Sequence, residues 1–397
     1  MMQTLKTDLL IIGGGVAGLW LLNRAIAEGY SALLIEKGDL GGGQSIKSQG
    51  IIHGGTKYAL NGALSQASNA ISEMPDRWRA CLKGEGELDL SQTKVLSEAH
   101  YMWSKDTLGA KLTTFFASKA VRGRVDNLAV EDRPKVFRNK AFKGSIYKLN
   151  ELVLDVPGLI KNLATPHQQN ILKLNPADAE ICLKEQQVES LCWAEQSVMI
   201  KPQRVILTAG EGNDQLRQLL KLEQPEMQRR PLQMVVVRHK TDLPVFAHCV
   251  GTGSKPVVTI TTHPTSNGEF AWYLGGDLAE TGVDLPADQQ IERAKKLIAE
   301  LMPWVTLEED RWAAFHVNRA EPKQSNLTRP DSGFVQTVGN TLVCWPTKLA
   351  LAPDLSQQVL AELSQQRVKP EYIPELAQVA IQQPATGLPV WETLFCN

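Results

Sequence analysis

The chain has 397 residues, 43% of them hydrophobic, with 42 Lys and Arg against 43 Asp and Glu. That length exceeds what one hydrophobic core ordinarily serves, so two domains with a cleft between them are expected. The balanced charge, without blocks of one sign, argues against nucleic acid or an anionic membrane surface as partner. The six cysteines form no Cys-x-x-Cys pair, which argues against a disulfide framework and a zinc knuckle; a reducing compartment and no metal are expected.

Met1 to Asp8 lacks a basic leader, and the apolar run that follows is broken by Gly13, Gly14 and Gly15. It therefore reads as neither signal peptide nor membrane span, cytoplasmic residence is the simplest expectation, and peripheral contact with a membrane stays open. Asp8–Ile12 has the continuous apolar character of a buried parallel strand. Val16–Glu28 follows with helical spacing of Ala17, Leu21, Leu22 and Ile26, and Gly29 ends it. Ala32–Ile35 is a second buried strand closing on Glu36. Strand, glycine turn, helix and strand fit within about 30 residues, the size of one βαβ unit.

Gly38 to Gly55 is rich in glycine and polar residues, too long for an ordinary connection and of the kind that carries function. Helical spacing resumes from about Lys57 to Leu82, Thr93–Asp155 mixes strand-like and helical stretches, and Pro157–Ala164 is a further helix. Val205–Ala209 is again a buried strand, ending in Ala209-Gly210. After Pro231 come separate β-rich runs: Leu232–Arg238, Val245–Val250, Pro256–Thr262, Ala271–Gly275 and Trp312–Val317. A helix over Asp288–Leu301 interrupts them, and together they predict an antiparallel sheet. Gly333–Val338 and Thr341–Cys344 flank a Gly339-Asn340 hairpin, and Leu355–Leu363 is the last helix. The expected fold class is α/β: a Rossmann-like domain (1–82, 150–225 and 325–397) with a discontinuous, mainly antiparallel β substrate domain (83–149 and 226–324).

Gly13-Gly14-Gly15-Val16-Ala17-Gly18 has the spacing in which glycines allow a tight turn, close approach of backbone to pyrophosphate, and helix–strand packing. It follows a strand, opens a helix and leads to Glu36, a carboxylate placed to accept from both ribose hydroxyls. Gly13, Gly15, Val16, Ala17, Gly18, Glu36 and the adjoining Lys37 are thus candidate cofactor contacts. The unit itself serves NAD or FAD alike. A plain NAD dehydrogenase would continue with alternating strands and helices, so the long Gly/Ser loop and the later antiparallel sheet favour FAD.

The run from Gly43 through Gln44, Ser45, Ser48, Gln49, Gly50 and Ile52-His53-Gly54-Gly55 to Tyr58 resembles the flavin loop of the D-amino-acid oxidase superfamily. Within it, the likeness is greatest to FAD-dependent glycerol-3-phosphate dehydrogenases and L-2-hydroxyglutarate oxidases. The resemblance implies that Ser45 and Ser48 face the flavin or its diphosphate, with Gly43, Gln44, Gln49 and Gly50 in the same loop, and that His53 lies near the isoalloxazine. Val205–Gly210 resembles the family's strand ending in Ala209-Gly210 beside the nucleotide. Pro346-Thr347-Lys348-Leu349 looks like its Gly-Gly-Lys-Leu turn, which adds Lys348 and Leu349 to the cofactor set. Arg319-Ala320 stands where the family has Arg-Pro, and Pro346-Thr347 replaces the paired glycines. The stretch Leu82–Gly144 matches nothing.

The expected activity is oxidation of a small anionic hydroxy acid, amino acid or polyol phosphate by hydride transfer to flavin, with oxygen or quinone as final acceptor. His53 is the candidate proton acceptor, and Arg319, with Lys57 and Arg329, the candidate anchor for the substrate's anion. The plainer alternatives are a local hydrogen-bonding role for His53 and surface roles for the cations. Two other functions stay open: a flavoprotein subunit or modification factor docking a macromolecule through Leu82–Gly144, and an NAD-dependent dehydrogenase.

Overall fold

In a computed structural model, residues 2–55, 66–104, 125–251, 255–324, 332–372 and 381–395 are described. The apolar run after Asp8 is the inner part of a strand spanning Gln3–Ile12, in which every residue from Thr7 onward is buried. Burial on both faces is what a parallel strand covered by helices requires. Four parallel strands join it in the order Thr341–Trp345, Val198–Leu207, Gln3–Ile12, Ala32–Glu36, Ile171–Lys173. The Val205–Ala209 expectation captured only the end of Val198–Leu207, because Lys201, Gln203 and Arg204 interrupt its apolar run. Phe334–Val338 extends one edge through the expected Gly339-Asn340 hairpin. A second hairpin, Glu180–Lys184 with Gln187–Trp193, pairs with the first half of Val198–Leu207.

Strand side chains alternate between two cores. Leu9, Ile11, Leu34 and Ile206 face the helices Val16–Ala27, Val156–Ala164 and Ala352–Gln365. Leu10, Ile12, Leu33, Ile35, Val205 and Leu207 face the opposite side, with Leu216 of helix Asn213–Leu219. The βαβ reading of the first forty residues is reproduced, with the helix ending at Ala27.

The second large sheet runs Arg311–Pro322, Met227–His239, Phe270–Gly275, Pro256–Pro264, Ala247–Val250, His100–Ser104, Ser145–Leu149, Val125–Asn127. It is antiparallel except where Ala247–Val250 runs parallel to His100–Ser104. Helix Ala287–Leu301 packs on one face against Val235, Val237, Ile260 and Trp272, while Val390 and Trp391 from near the C-terminus cover Met234, Val236 and Tyr273 on the other. Strands His100–Ser104 and Val125–Asn127 come from the segment that matched nothing in sequence. A small sheet, Ile51–Ile52 with Leu152–Leu154 and Val95–Ser97, forms where the glycine-rich loop ends. Of the helix expected over Lys57–Leu82, the part Gln66–Leu82 is described.

Candidate active site

A cavity of about 880 Å³ lies at the carboxyl ends of the strands Gln3–Ile12 and Val198–Leu207, walled on the far side by the large sheet. Its end beside the glycine turn is mostly backbone. Gly13 has φ +115°, and a Cβ there would lie 2.6 Å from the Ala209 Cα. At Gly18 a Cβ would lie 2.0 Å from the Gly13 carbonyl oxygen, so this glycine serves helix–strand packing; it does not line the cavity. Gly15 differs from both: a Cβ there would meet only the Ser45 hydroxyl, at 3.1 Å, which leaves its backbone open to a ligand.

The helix beginning at Val16 has no side-chain cap at Gly15, and the Val16 N–H donates to Ser45 Oγ at 3.0 Å. Its positive dipole end borders the cavity and suits a diphosphate. Glu36 Oε2 accepts from the Gly14 N–H at 2.7 Å and Oε1 from the Gly38 N–H at 2.8 Å. Each carboxylate oxygen retains a further lone pair, so the residue can hold the glycine turn and a ribose at once. Lys37, Val16, Ala17, Gly43, Ser48, Gly50, Ala209, Gly210, Lys348 and Leu349 also line the cavity.

The glycine-rich loop is tied to the large sheet at several points. Gln44 Nε2 donates to the Asn318 carbonyl at 2.7 Å, and Gln49 Nε2 to the Tyr273 carbonyl at 2.8 Å and the Thr259 carbonyl at 3.2 Å. The Tyr273 hydroxyl donates to the Lys47 carbonyl at 2.6 Å. Gln44 and Gln49 line the cavity with their amides engaged in these ties. On the opposite rim, Thr347 adopts φ +60°, and the Lys348 N–H donates back to the Pro346 carbonyl at 2.7 Å. A β-branched residue thus holds a left-handed conformation that glycine adopts more readily.

His53 lines the cavity, and its Nδ1 lies 3.1 Å from Glu151 Oε2. Glu151 is fully buried, and its Oε1 accepts from the Gly54 N–H at 3.2 Å. His248 Nε2 lies 3.8 Å from the same Oε2, while its Nδ1 pairs with Thr259 Oγ1 at 2.7 Å. Burial alone would raise the Glu151 carboxyl, but His53 and His248 outweigh it and hold the group well below the ordinary range. It is therefore ionised, as a buried carboxylate between two imidazoles should be.

Arg319 lines the large-sheet wall, where its Nη2 donates to Glu280 Oε1 at 3.2 Å. Glu280 also meets Lys255, and Arg230 at 3.8 Å. Burial would raise the Glu280 carboxyl; Lys255 and Arg319 together hold it below its ordinary value. The anion anchor expected from sequence thus faces a carboxylate of its own chain. Lys57 and Arg329 lie outside the described residues.

Sequence reasoning missed Glu151, His248 and Glu280. Only Glu151 left a signal: an acidic residue between Leu149 and the apolar Leu152-Val153-Leu154, where a buried charge demands a partner.

The open backbone at Gly15, the helix N-terminus, Glu36 and a cavity of this size fit FAD. The sequence profile of the DAO family, described as FAD-dependent oxidoreductases, matches residues 8–335. The chain belongs to this family. It is 51% identical, over the whole length of both chains, to a probable FAD-dependent oxidoreductase of Pseudomonas aeruginosa. The crystal structure of an FAD-dependent oxidoreductase from that organism superposes with a TM-score of 0.85, at 44% identity and covering 100% of both chains. An alpha-glycerophosphate oxidase of Streptococcus pyogenes is 27% identical over 62% of this chain and 42% of its own length. The glycine oxidase of Geobacillus kaustophilus shares the fold alone, with a TM-score of 0.61 at 14% identity and covering 95% of this chain and 99% of its own. This DAO-family protein is accordingly an FAD-dependent oxidoreductase. Among its described residues, no helix is long and apolar enough to cross a membrane.

Proposed function

We propose that this oxidoreductase acts on the CH–OH or CH–NH carbon of a small anionic hydroxy acid, amino acid or polyol phosphate, yielding a carbonyl or imine. The observation that carries this reading is that His53, backed by Glu151, and Arg319 line one and the same cavity. FAD, when bound, supplies the acceptor for the hydride leaving that carbon. His53 takes the proton of the hydroxyl or amine, and the Arg319 guanidinium orients the anion, with Lys57 and Arg329 as further candidate cations. Glycines 13 and 15, Glu36 and the loop around Ser45 hold the cofactor. The domain partition drawn from sequence belongs to the same proposal, with oxygen or a quinone reoxidising the flavin.

An anaerobic panel tests the proposal by loss of flavin absorbance: glycerol 3-phosphate, 2-hydroxyglutarate, glycine and proline, beside neutral glycerol. An anionic or zwitterionic member should bleach the flavin and glycerol should not. His53→Ala should stay yellow and reduce about 100- to 10,000-fold more slowly with that substrate. Bleaching by none of them, or an unaffected His53→Ala, would end this reading.

A further inference from the structure

The carboxylate behind His53 touches neither cavity nor solvent, yet three features hold it in place. The neighbouring Gly54 N–H fixes Oε1, His53 Nδ1 faces Oε2 at 3.1 Å, and His248 approaches that same oxygen at 3.8 Å. His248 is itself set by Thr259 Oγ1 at 2.7 Å and by the ring of His100, whose centroid lies 4.1 Å away. Distant segments of the chain thus converge on one buried negative charge. Burying such a charge costs several kcal/mol unless it is matched. The carboxylate does not reach the cavity, so any effect it has on a ligand there passes through the imidazole that does.

Resting on the reading of His53 as proton acceptor, we propose that Glu151 and His248 are its positioning residues. An ionised carboxylate only accepts hydrogen bonds, so His53 carries its proton on Nδ1 and Nε2 is left as the accepting atom. When the substrate's hydroxyl or amine proton moves to Nε2, the positive charge appears beside a negative charge already in place. No side chain has to reorganise for it. His248 keeps the carboxylate turned towards His53. Among the described residues, His53 and His248 are the titratable groups against Glu151, and His100 lies against His248.

The test uses the FAD-loaded protein with ¹⁵N-labelled histidine. Two-bond ¹⁵N–¹H correlations report each imidazole tautomer, and His53→Gln assigns the resonance. His53 should show protonated Nδ1. In Glu151→Gln its titration should move to lower pH, since the imidazolium loses its adjacent negative charge, and Glu151→Asp should restore much of the difference. His248→Gln should cause a smaller change in the same direction. FAD content should stay at the wild-type level in all three variants.

A protonated Nε2, or a His53 titration indifferent to Glu151→Gln, would overturn the positioning role while leaving the His53→Ala test of catalysis intact. So would stoichiometric zinc in the purified protein that disappears in His248→Gln, because the cluster would then be a metal site.

Discussion

The two ends of the cavity are built on different principles. The nucleotide end is made of backbone: glycines, a helix N-terminus and one carboxylate, all within the first forty-five residues. The end we propose for the substrate is made of side chains held by other side chains, His53 by Glu151 and Arg319 by Glu280, drawn from distant segments. Histidine burial divides the two sheets in the same way. Four of the seven histidines, His100, His239, His248 and His263, are buried in the large sheet, and the parallel sheet buries none. Backbone sites tolerate no added atoms but are indifferent to pH; side-chain sites tolerate substitution but depend on charge.

The largest effect is expected at Gly13. Gly13→Val drives a branched side chain into the Ala209 backbone at a positive φ, and should abolish both FAD retention and a native melting transition. Gly15→Ala sharpens the contrast: its Cβ meets only a hydroxyl, so the protein should fold but emerge colourless. A yellow, stable Gly13→Val protein would dissolve the distinction.

Acid should act on the large sheet. His263 is buried, stacked on Trp391 at 4.1 Å between ring centroids, and burial lowers its pKa to about 3. It is neutral when folded and takes up a proton near pH 6.5 when unfolded. Its contribution is therefore complete above pH 6.5 and is lost progressively as pH falls towards 3. From pH 7 to pH 5 the loss should be about 2 kcal/mol, read as a lower urea midpoint. His263→Gln should flatten that slope; an unchanged slope would show that His263 is not its source.

Glu36→Ala tests whether the one side chain at the nucleotide end is as important as the backbone. Losing its hydrogen bonds to ribose and to the glycine turn should cost about 1.5–3 kcal/mol, or roughly 10- to 100-fold in FAD affinity. Unaltered affinity in a folded variant would leave the carboxylate with the turn alone. At the substrate end, Arg319→Lys keeps the charge and loses the planar fork, and should chiefly raise KM by several-fold. Glu280→Gln, which removes a competitor for that guanidinium, should lower KM for an anionic substrate. Movement of both in the same direction would show that Arg319 needs Glu280 for its position.

Legibility in sequence follows the same division. The glycine turn, its helix and Glu36 could be read because a βαβ unit places its ligand contacts at fixed short spacings. The antiparallel runs could be read from composition, though Lys201, Gln203 and Arg204 hid half of one long strand. The pairing of Arg319 with Glu280, and the convergence of His248 on Glu151, could not be read. Each depends on how segments more than thirty residues apart pack together, a helix against a strand for Glu280 and Arg319 and a strand connection against a strand for Glu151 and His248, which no local spacing encodes. Thr347 shows a subtler case, in which a β-branched residue holds a left-handed conformation that its residue type gives no sign of.

The ties from the glycine-rich loop to the large sheet also set a schedule for biosynthesis. Gln49 is made early, but its partners Thr259 and Tyr273 follow 210 and 224 residues later. A ribosome that has released the complete βαβ unit has therefore not yet made what fixes the flavin loop. The cofactor site reaches its final shape only after more than half of the chain has emerged, so an amino-terminal fragment ending before the large sheet should not retain FAD as the whole protein does.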